Sequence, residues 1–221
     1  MLDASLWDEV VPLLQCEAPV HRLPLSPGAT TEAIAHSVAQ AAPERFVLVG
    51  FSLGGYIARK VAELFPERVA ALVLVASSLE VDSAERTKAK QDAIRALDPS
   101  TFRGLSMGAI AQSLHPDRRG DRELVTRIRE MGRRLGYEAL VLQSGLQRDG
   151  IAAASLTCPT LVIGAAQDPL RSARETRELA DAIPGARLDV IEQSGHMLPL
   201  EQPEALVRAI AAFLHGQKSA L

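Results

Sequence analysis

Residues 46–58 read Phe46-Val47-Leu48-Val49-Gly50-Phe51-Ser52-Leu53-Gly54-Gly55-Tyr56-Ile57-Ala58, and this stretch decides the fold. Four apolar, β-favouring residues, Phe46 to Val49, predict a strand. Gly50-Phe51-Ser52-Leu53-Gly54 predicts a tight turn, and Gly55 to Leu64 continue with helical character. A G-x-S-x-G in a strand-turn-helix setting is a nucleophile elbow, in which the sharp turn strains the serine backbone and lifts Oγ clear of the sheet. Glycine is expected two residues before and two after, because a Cβ at either place would meet the neighbouring strand or helix. A serine hydroxyl is a weak nucleophile without a general base beside it, so the elbow requires a histidine and an acid farther along.

Both residue types follow in suitable settings. Thr160 to Gly164 predict a buried strand introduced by Cys158-Pro159, and the loop after it carries Asp168 and Pro169. A second strand, Ala186 to Glu192, leads into Gln193-Ser194-Gly195-His196. A serine, an acid and a histidine thus each follow a strand, in the order Ser52, Asp168, His196, one of several chain orders in which such triads occur. Plainer readings stand beside this one: Ser52 as a tight-turn serine, Asp168 as the start of a turn before proline, His196 as a surface-loop residue. Asp181 falls in a helical pattern and Asp189 inside a predicted strand, which makes them weaker acids for the role. His21, His36, His115 and His215 lack a strand-end context.

On these motifs the chain resembles the α/β-hydrolase superfamily, particularly its small, cofactor-free esterase and lactonase-like members. The resemblance runs from Ser5-Leu6-Trp7 to Phe213, anchored at Gly50 to Gly55, Gly164 to Asp168 and Gly195-His196. Glu201-Gln202-Pro203 ahead of an amphipathic final helix also fits the family pattern. The resemblance implies a mostly parallel sheet with helices on both faces, with the acid after the seventh strand and the histidine after the eighth. It also implies a helical cap between the sixth and seventh strands. Accordingly, residues 1–78 and 151–221 are expected to form the core and 79–150 the cap.

Composition agrees with one α/β domain and narrows the function classes. A chain of 221 residues, 47% hydrophobic, can bury one substantial core. A formal charge of −3 gives no reason to expect nucleic acid or an anionic membrane as partner. Asp3, Asp8 and Glu9 break up the start, so no signal peptide is expected, and the longest charge-free run, Gly150 to Gln167, contains Pro159 and polar residues unsuited to a membrane span. Cys16 and Cys158 have no metal-ligand spacing and read as reduced thiols of a cytoplasmic protein.

Along the chain, Asp3 or Ser5 is expected to cap a first helix carrying Trp7, Val10, Val11 and Leu14 at helical spacing. Val20 to Leu25 is a short strand candidate closed by Ser26-Pro27-Gly28, Thr30 to Ala41 an amphipathic helix, and Val69 to Val75 an apolar strand. The alternation of strands and helices implies a parallel sheet. It stops from about Leu79 to Gly150, where the pattern is helical and polar. Leu124, Ile128, Met131 and Leu135 recur there at the spacing of a packing face. Arg118, Arg119, Arg122, Arg127, Arg129, Arg133 and Arg134 alternate with acids, as a solvated helix face does; steering of an acidic substrate is the alternative. Phe51, Phe102, Leu105, Met107 and Leu170 are candidate pocket residues for an apolar group, each of which also suits a plain core.

The resembled family carries a central strand before the Trp7 helix, and the residue after that strand supplies one oxyanion-hole N–H. Here the chain starts at Met1-Leu2-Asp3. The natural chain is therefore expected to begin farther upstream; otherwise its first strands re-pair or come from another protomer. Leu53 maps to one oxyanion donor and Met1 to the other. The expected reaction is hydrolysis of a small-molecule carboxylic ester or lactone through an acyl-enzyme on Ser52, His196 and Asp168, with no cofactor and no metal. Ser52 argues against the dehalogenase and epoxide hydrolase branches, which need a carboxylate nucleophile. Thioester hydrolysis, C–C cleavage or lyase chemistry on the same triad, and a non-catalytic hydrolase-like binding protein, remain the alternatives.

Overall fold

Largely apolar runs form β1 (Phe46–Phe51), β2 (Val69–Val75) and β3 (Thr160–Ala165), and the mixed Arg-Leu-Asp-Val-Ile forms β4 (Arg187–Ile191), of one parallel sheet in the order β1-β2-β3-β4. This computed structural model describes residues 1–217 except 17, 26, 27 and 29. The register sets Phe51 beside Val75, Val75 beside Ile163, and Ala165 beside Ile191. The strands therefore end along one rim, and the segments that follow β1, β3 and β4 all emerge there.

Side chains alternate across β2 with the period of two that a pleated strand imposes. Ala71, Val73 and Val75 turn to one face, Leu72 and Leu74 to the other, and all five are fully buried. Both faces are covered, which is why β2 reads as a continuous apolar run. The second face packs on α1 (Thr31–Ala41) through Ile34 and Val38, on α2 (Leu53–Leu64) through Ile57 and Val61, and on α6 (Ala173–Ala182) through Leu179. The first face packs on α8 (Pro203–His215) through Leu206, Ile210 and Phe213, and on helices of the intervening segment.

Between β2 and β3 the described residues form helices: α3 (Ala84–Arg95), α4 (Met107–Ser113) and α5 (Arg122–Gly145). Ser83, Ser106 and Asp121 cap them, each side chain accepting from an N–H in the first turn. Gly136 breaks α5 at φ 83°, ψ 173°. Leu124, Ile128 and Met131 are buried, in keeping with the packing face read from their spacing. The arginines are mostly spent on pairing: Arg118 with Asp121, Arg127 with Glu9, Arg133 with Glu130, and Arg134 with Asp3. Among the described residues, no helix is long and apolar enough to cross a membrane.

Two expectations fail near the start. The first helix is instead two short 3-10 turns, Ala4–Trp7 and Val11–Leu13, although Asp3 does cap the first by accepting from Ser5 N–H at 3.0 Å. Pro12 explains the break, since it has no N–H and its ring blocks an α-helical turn. Val20 to Leu25 form no strand. A strand exists only through a partner's ladder, and none lies beside this stretch among the described residues; Pro24 also lacks the donor. Ser26 and Pro27, expected to close it, lie outside the described residues.

Candidate active site

Ser52 sits between β1 and α2 with φ 50° and ψ −114°, a positive-φ conformation in a residue that has a Cβ. Such strain costs on the order of 1–3 kcal/mol and persists only where neighbours enforce it. Here Ser52 N–H donates to the Val75 carbonyl at 2.8 Å, and Gly55 N–H donates to the Ser52 carbonyl at 3.0 Å. The glycines divide differently from expectation. A Cβ on Gly50 would lie 2.4 Å from the Gly54 carbonyl oxygen and 2.8 Å from the Ala58 Cβ, so that position is closed to side chains. At Gly54 no atom lies within 4 Å of the corresponding point, which corrects the expected clash there. The crowded neighbour is Gly55, whose added Cβ would meet Ser77 Oγ at 2.4 Å, because the chain leaving β2 crosses over the start of α2.

The segments after β3 and β4 bring the other two residues to the same rim. Asp168 Oδ1 accepts from the N–H groups of Leu170 and Arg171, at 2.7 and 2.9 Å. Its Oδ2 lies 2.8 Å from His196 Nδ1, and His196 Nε2 lies 3.0 Å from Ser52 Oγ. The Asp168 side chain is fully buried and that of His196 is 6% exposed. With Asp168 ionised, Nδ1 carries the proton and donates, which leaves Nε2 as an acceptor facing the Ser52 hydroxyl. Ser52, His196 and Asp168 thus form one continuous hydrogen-bonded chain.

Cross-links that the sequence did not announce hold these loops. Gln167 N–H donates to the Ser194 carbonyl at 3.0 Å, and the Gln167 side-chain oxygen accepts from Ser194 N–H at 3.2 Å, tying the acid loop to the histidine loop. His196 N–H donates to the Ser113 carbonyl at 2.8 Å, at the end of α4. Glu201, in the short helix α7 (Leu198–Glu201), is buried; its two oxygens accept from Gly195 N–H at 3.0 Å and His115 N–H at 2.7 Å. Burial pushes its carboxyl pKa above the ordinary carboxylate value, against the downward pull of those two N–H groups. A lone acid closing the apolar run Met197 to Leu200 is the signal that could have found it, since a charge in such a run must be satisfied by polar partners.

The remaining candidates divide between the site and its surroundings. Leu53 opens α2, and its N–H has no intrahelical acceptor. Met1 packs with its carbonyl oxygen 3.5 Å from where a Cβ of Gly132 would stand. The Phe51 ring lies 5.3 Å from the His196 ring. Phe102 instead meets Tyr137 edge-on at 6.0 Å. Met107 helps line a shallow concavity of about 300 Å³ with Ala111, Arg119, Arg122 and Val125, which includes none of Ser52, Asp168 and His196. Leu170 is 51% exposed, and its contribution here is its main-chain N–H on Asp168. Among the described residues, no group of three or more His, Cys, Asp or Glu side chains is gathered to hold a metal ion.

Residues 6–209 match the sequence profile of the alpha/beta hydrolase family. A pimeloyl-[acyl-carrier protein] methyl ester esterase of Klebsiella pneumoniae is 42% identical over 86 residues, covering 35% of this chain and 33% of that protein. A rhodomycin D methylesterase of a Streptomyces species is 32% identical over 197 residues, covering 75% of this chain and 65% of its own. The chain therefore spans about a third and just under two thirds of the length of these curated relatives. Among solved structures, a thermophilic esterase from Thermogutta terrifontis superposes with a TM-score of 0.80 at 26% identity, over 97% of this chain and 86% of the other. An enol-lactonase from Burkholderia xenovorans gives a TM-score of 0.80 over 97% of this chain and 87% of its own; at 20% identity it speaks for the fold alone. The chain belongs to the alpha/beta hydrolase family.

Proposed function

We propose that this protein is a serine esterase that hydrolyses a small carboxylic ester or lactone through an acyl-enzyme. The observation that carries the reading is the unbroken Ser52–His196–Asp168 chain at 3.0 and 2.8 Å, with Ser52 held at positive φ. Ser52 Oγ attacks the ester carbonyl as His196 Nε2 takes its proton. Asp168, fixed by two main-chain N–H groups, holds the imidazole orientation and stabilises the imidazolium. The tetrahedral oxyanion accepts a hydrogen bond from Leu53 N–H. His196 then protonates the departing alkoxide, and the alcohol leaves. In the second half His196 takes a proton from water, the hydroxide attacks the acyl-serine, and Ser52 recovers its proton as the carboxylic acid is released.

Relatives with dissimilar acyl groups are both named for methyl esters, which favours a methyl ester substrate for this chain too. Residues 79–150 act in this reading as a cap over the core of 1–78 and 151–221. What supports that role is the hydrogen bonding of Ser113 to the histidine loop and of His115 to Glu201. The test is methanol release from methyl butyrate, alongside p-nitrophenyl acetate hydrolysis. Ser52→Ala is expected to cut kcat by about 10⁶-fold with an unchanged fold; retained turnover overturns the assignment.

A further inference from the structure

Helix α2, which carries Ser52 at its N-terminus, also grips residues 79–150 at both of their ends. At the entry, Tyr56, fully buried, donates its hydroxyl to the Glu80 carbonyl at 2.7 Å and shares a hydrogen bond with Ser78 Oγ at 2.8 Å. One turn along, Arg59 is 1% exposed and donates from Nη2 to the Ser78 carbonyl at 3.1 Å. From Nη1 the same guanidinium reaches the exit, donating to the carbonyls of Ile151 and Ala152, both at 3.4 Å. The guanidinium carbons of Arg59 and Arg148 lie 5.1 and 5.4 Å from the Tyr56 ring centroid, so the ring touches the exit side as well. Next to these, Lys60 donates to the Gly150 carbonyl at 3.3 Å, and Glu63 accepts from Ala152 N–H at 3.3 Å.

Arg59 is an expensive residue for this position. It is charged and buried, its Nε has no hydrogen-bond partner, and its bonds go to main-chain carbonyls rather than to a carboxylate. An apolar side chain would fill the space at less cost if filling were the task. What an apolar side chain lacks is the planar fork, which lets one group bond two chain segments in fixed relative positions. Two stalks anchored separately leave the segment between them free to shift; one rigid group holding both removes that freedom. The far part of the same segment presents the Ser113 carbonyl to His196 N–H and His115 N–H to Glu201, which also accepts from Gly195, so its placement bears on the space above Ser52.

We propose that Arg59 is a positioning residue: by bridging the entry and exit of residues 79–150 on the nucleophile-bearing helix, it sets how those residues lie over the site and which acyl chains fit. The kinetic half rests on the reading that Ser52 is an esterase nucleophile; the structural half does not.

The experiment compares the full chain with Arg59→Met, Arg59→Lys and Tyr56→Phe. Hydrogen exchange is read along residues 79–150 and in β2 and β3, and kinetics on p-nitrophenyl acetate and p-nitrophenyl octanoate. Arg59→Met is expected to speed exchange in 79–150 by about tenfold while β2 and β3 stay protected. It is expected to raise KM for the octanoate by about tenfold and leave kcat for the acetate within about twofold. Arg59→Lys, which keeps the charge without the fork, falls between. Tyr56→Phe removes the hydroxyl bonds alone and gives a smaller effect of the same sign, which keeps the test alive if Arg59→Met fails to fold. Unchanged exchange in 79–150 overturns the proposal, as does an equal fall in kcat on both esters with KM constant, the mark of a smaller folded fraction. If the parent itself hydrolyses neither ester, the esterase reading falls and exchange alone decides the bridge.

Discussion

Replacing Glu201 by alanine removes the acceptor of two main-chain N–H groups at once. The carboxylate takes Gly195 N–H at 3.0 Å and His115 N–H at 2.7 Å, one in the histidine loop and the other just after α4. Each donor left without an acceptor costs about 1–3 kcal/mol, and relief of the carboxylate's own burial offsets part of the sum, so the expected loss is about 2–4 kcal/mol. For a domain of this size that lowers Tm by about 4–16 °C. Glu201→Gln keeps one oxygen for one N–H and turns an NH₂ toward the other, so about 1–2 kcal/mol is expected. Urea denaturation at neutral pH gives both values. Hydrogen exchange adds the location: the amides of Gly195 and His115 should exchange faster while those of β2 do not. An alanine variant within about 0.5 kcal/mol of the parent, or a glutamine variant as damaged as the alanine one, refutes the two-acceptor account.

The same carboxyl yields a pH effect. Its pKa is raised in the folded protein, which therefore holds the proton more tightly than the unfolded chain does. Stability contributed by this group thus falls as pH rises from the ordinary 4.5 through the raised value, and Glu201→Gln should lose that slope in urea midpoints taken across the acid range. Gly195→Ala places a Cβ 2.4 Å from His115 N and 2.5 Å from the Leu114 carbonyl carbon, both main chain, so about 1–3 kcal/mol of stability should go together with turnover. Gly54→Ala meets nothing within 4 Å and should be neutral or stabilising by about 0.5–1 kcal/mol in the same denaturation assay. Asp168→Asn presents an amide NH₂ to Nδ1, leaving the proton on the nitrogen that faces Ser52; kcat for p-nitrophenyl acetate should fall about 10⁴-fold with the melting curve little changed.

What was legible in the sequence is what local physics encodes. The elbow could be read because strand, tight turn and helix are contiguous and each has its own pattern. Asp168 and His196 could be read because strand ends in a parallel sheet share a rim. The motif pattern points to Gly54, but the position without room for a Cβ is Gly55, because its clash partner, Ser77, arrives from a different strand. Val20 to Leu25 has strand-like composition, but a ladder needs a neighbour, and composition does not supply one. The role of Gln167 depends on loops meeting across the sheet rim, so no spacing rule reveals it, whereas Glu201 is marked only by closing an apolar run, which does not say what it bonds. Pocket residues were the least legible: hydrophobicity marks Phe102, Met107 and Leu170 as apolar without saying what they face.

The central claim is that Ser52 is an activated nucleophile with His196 as its base. The direct test is mass spectrometry of the chain after exposure to a fluorophosphonate, with the modified residue mapped by peptide. The account predicts a single adduct on Ser52 that forms quickly in the parent and is lost in His196→Ala. An unlabelled Ser52 in a folded parent, or equal labelling without His196, contradicts it.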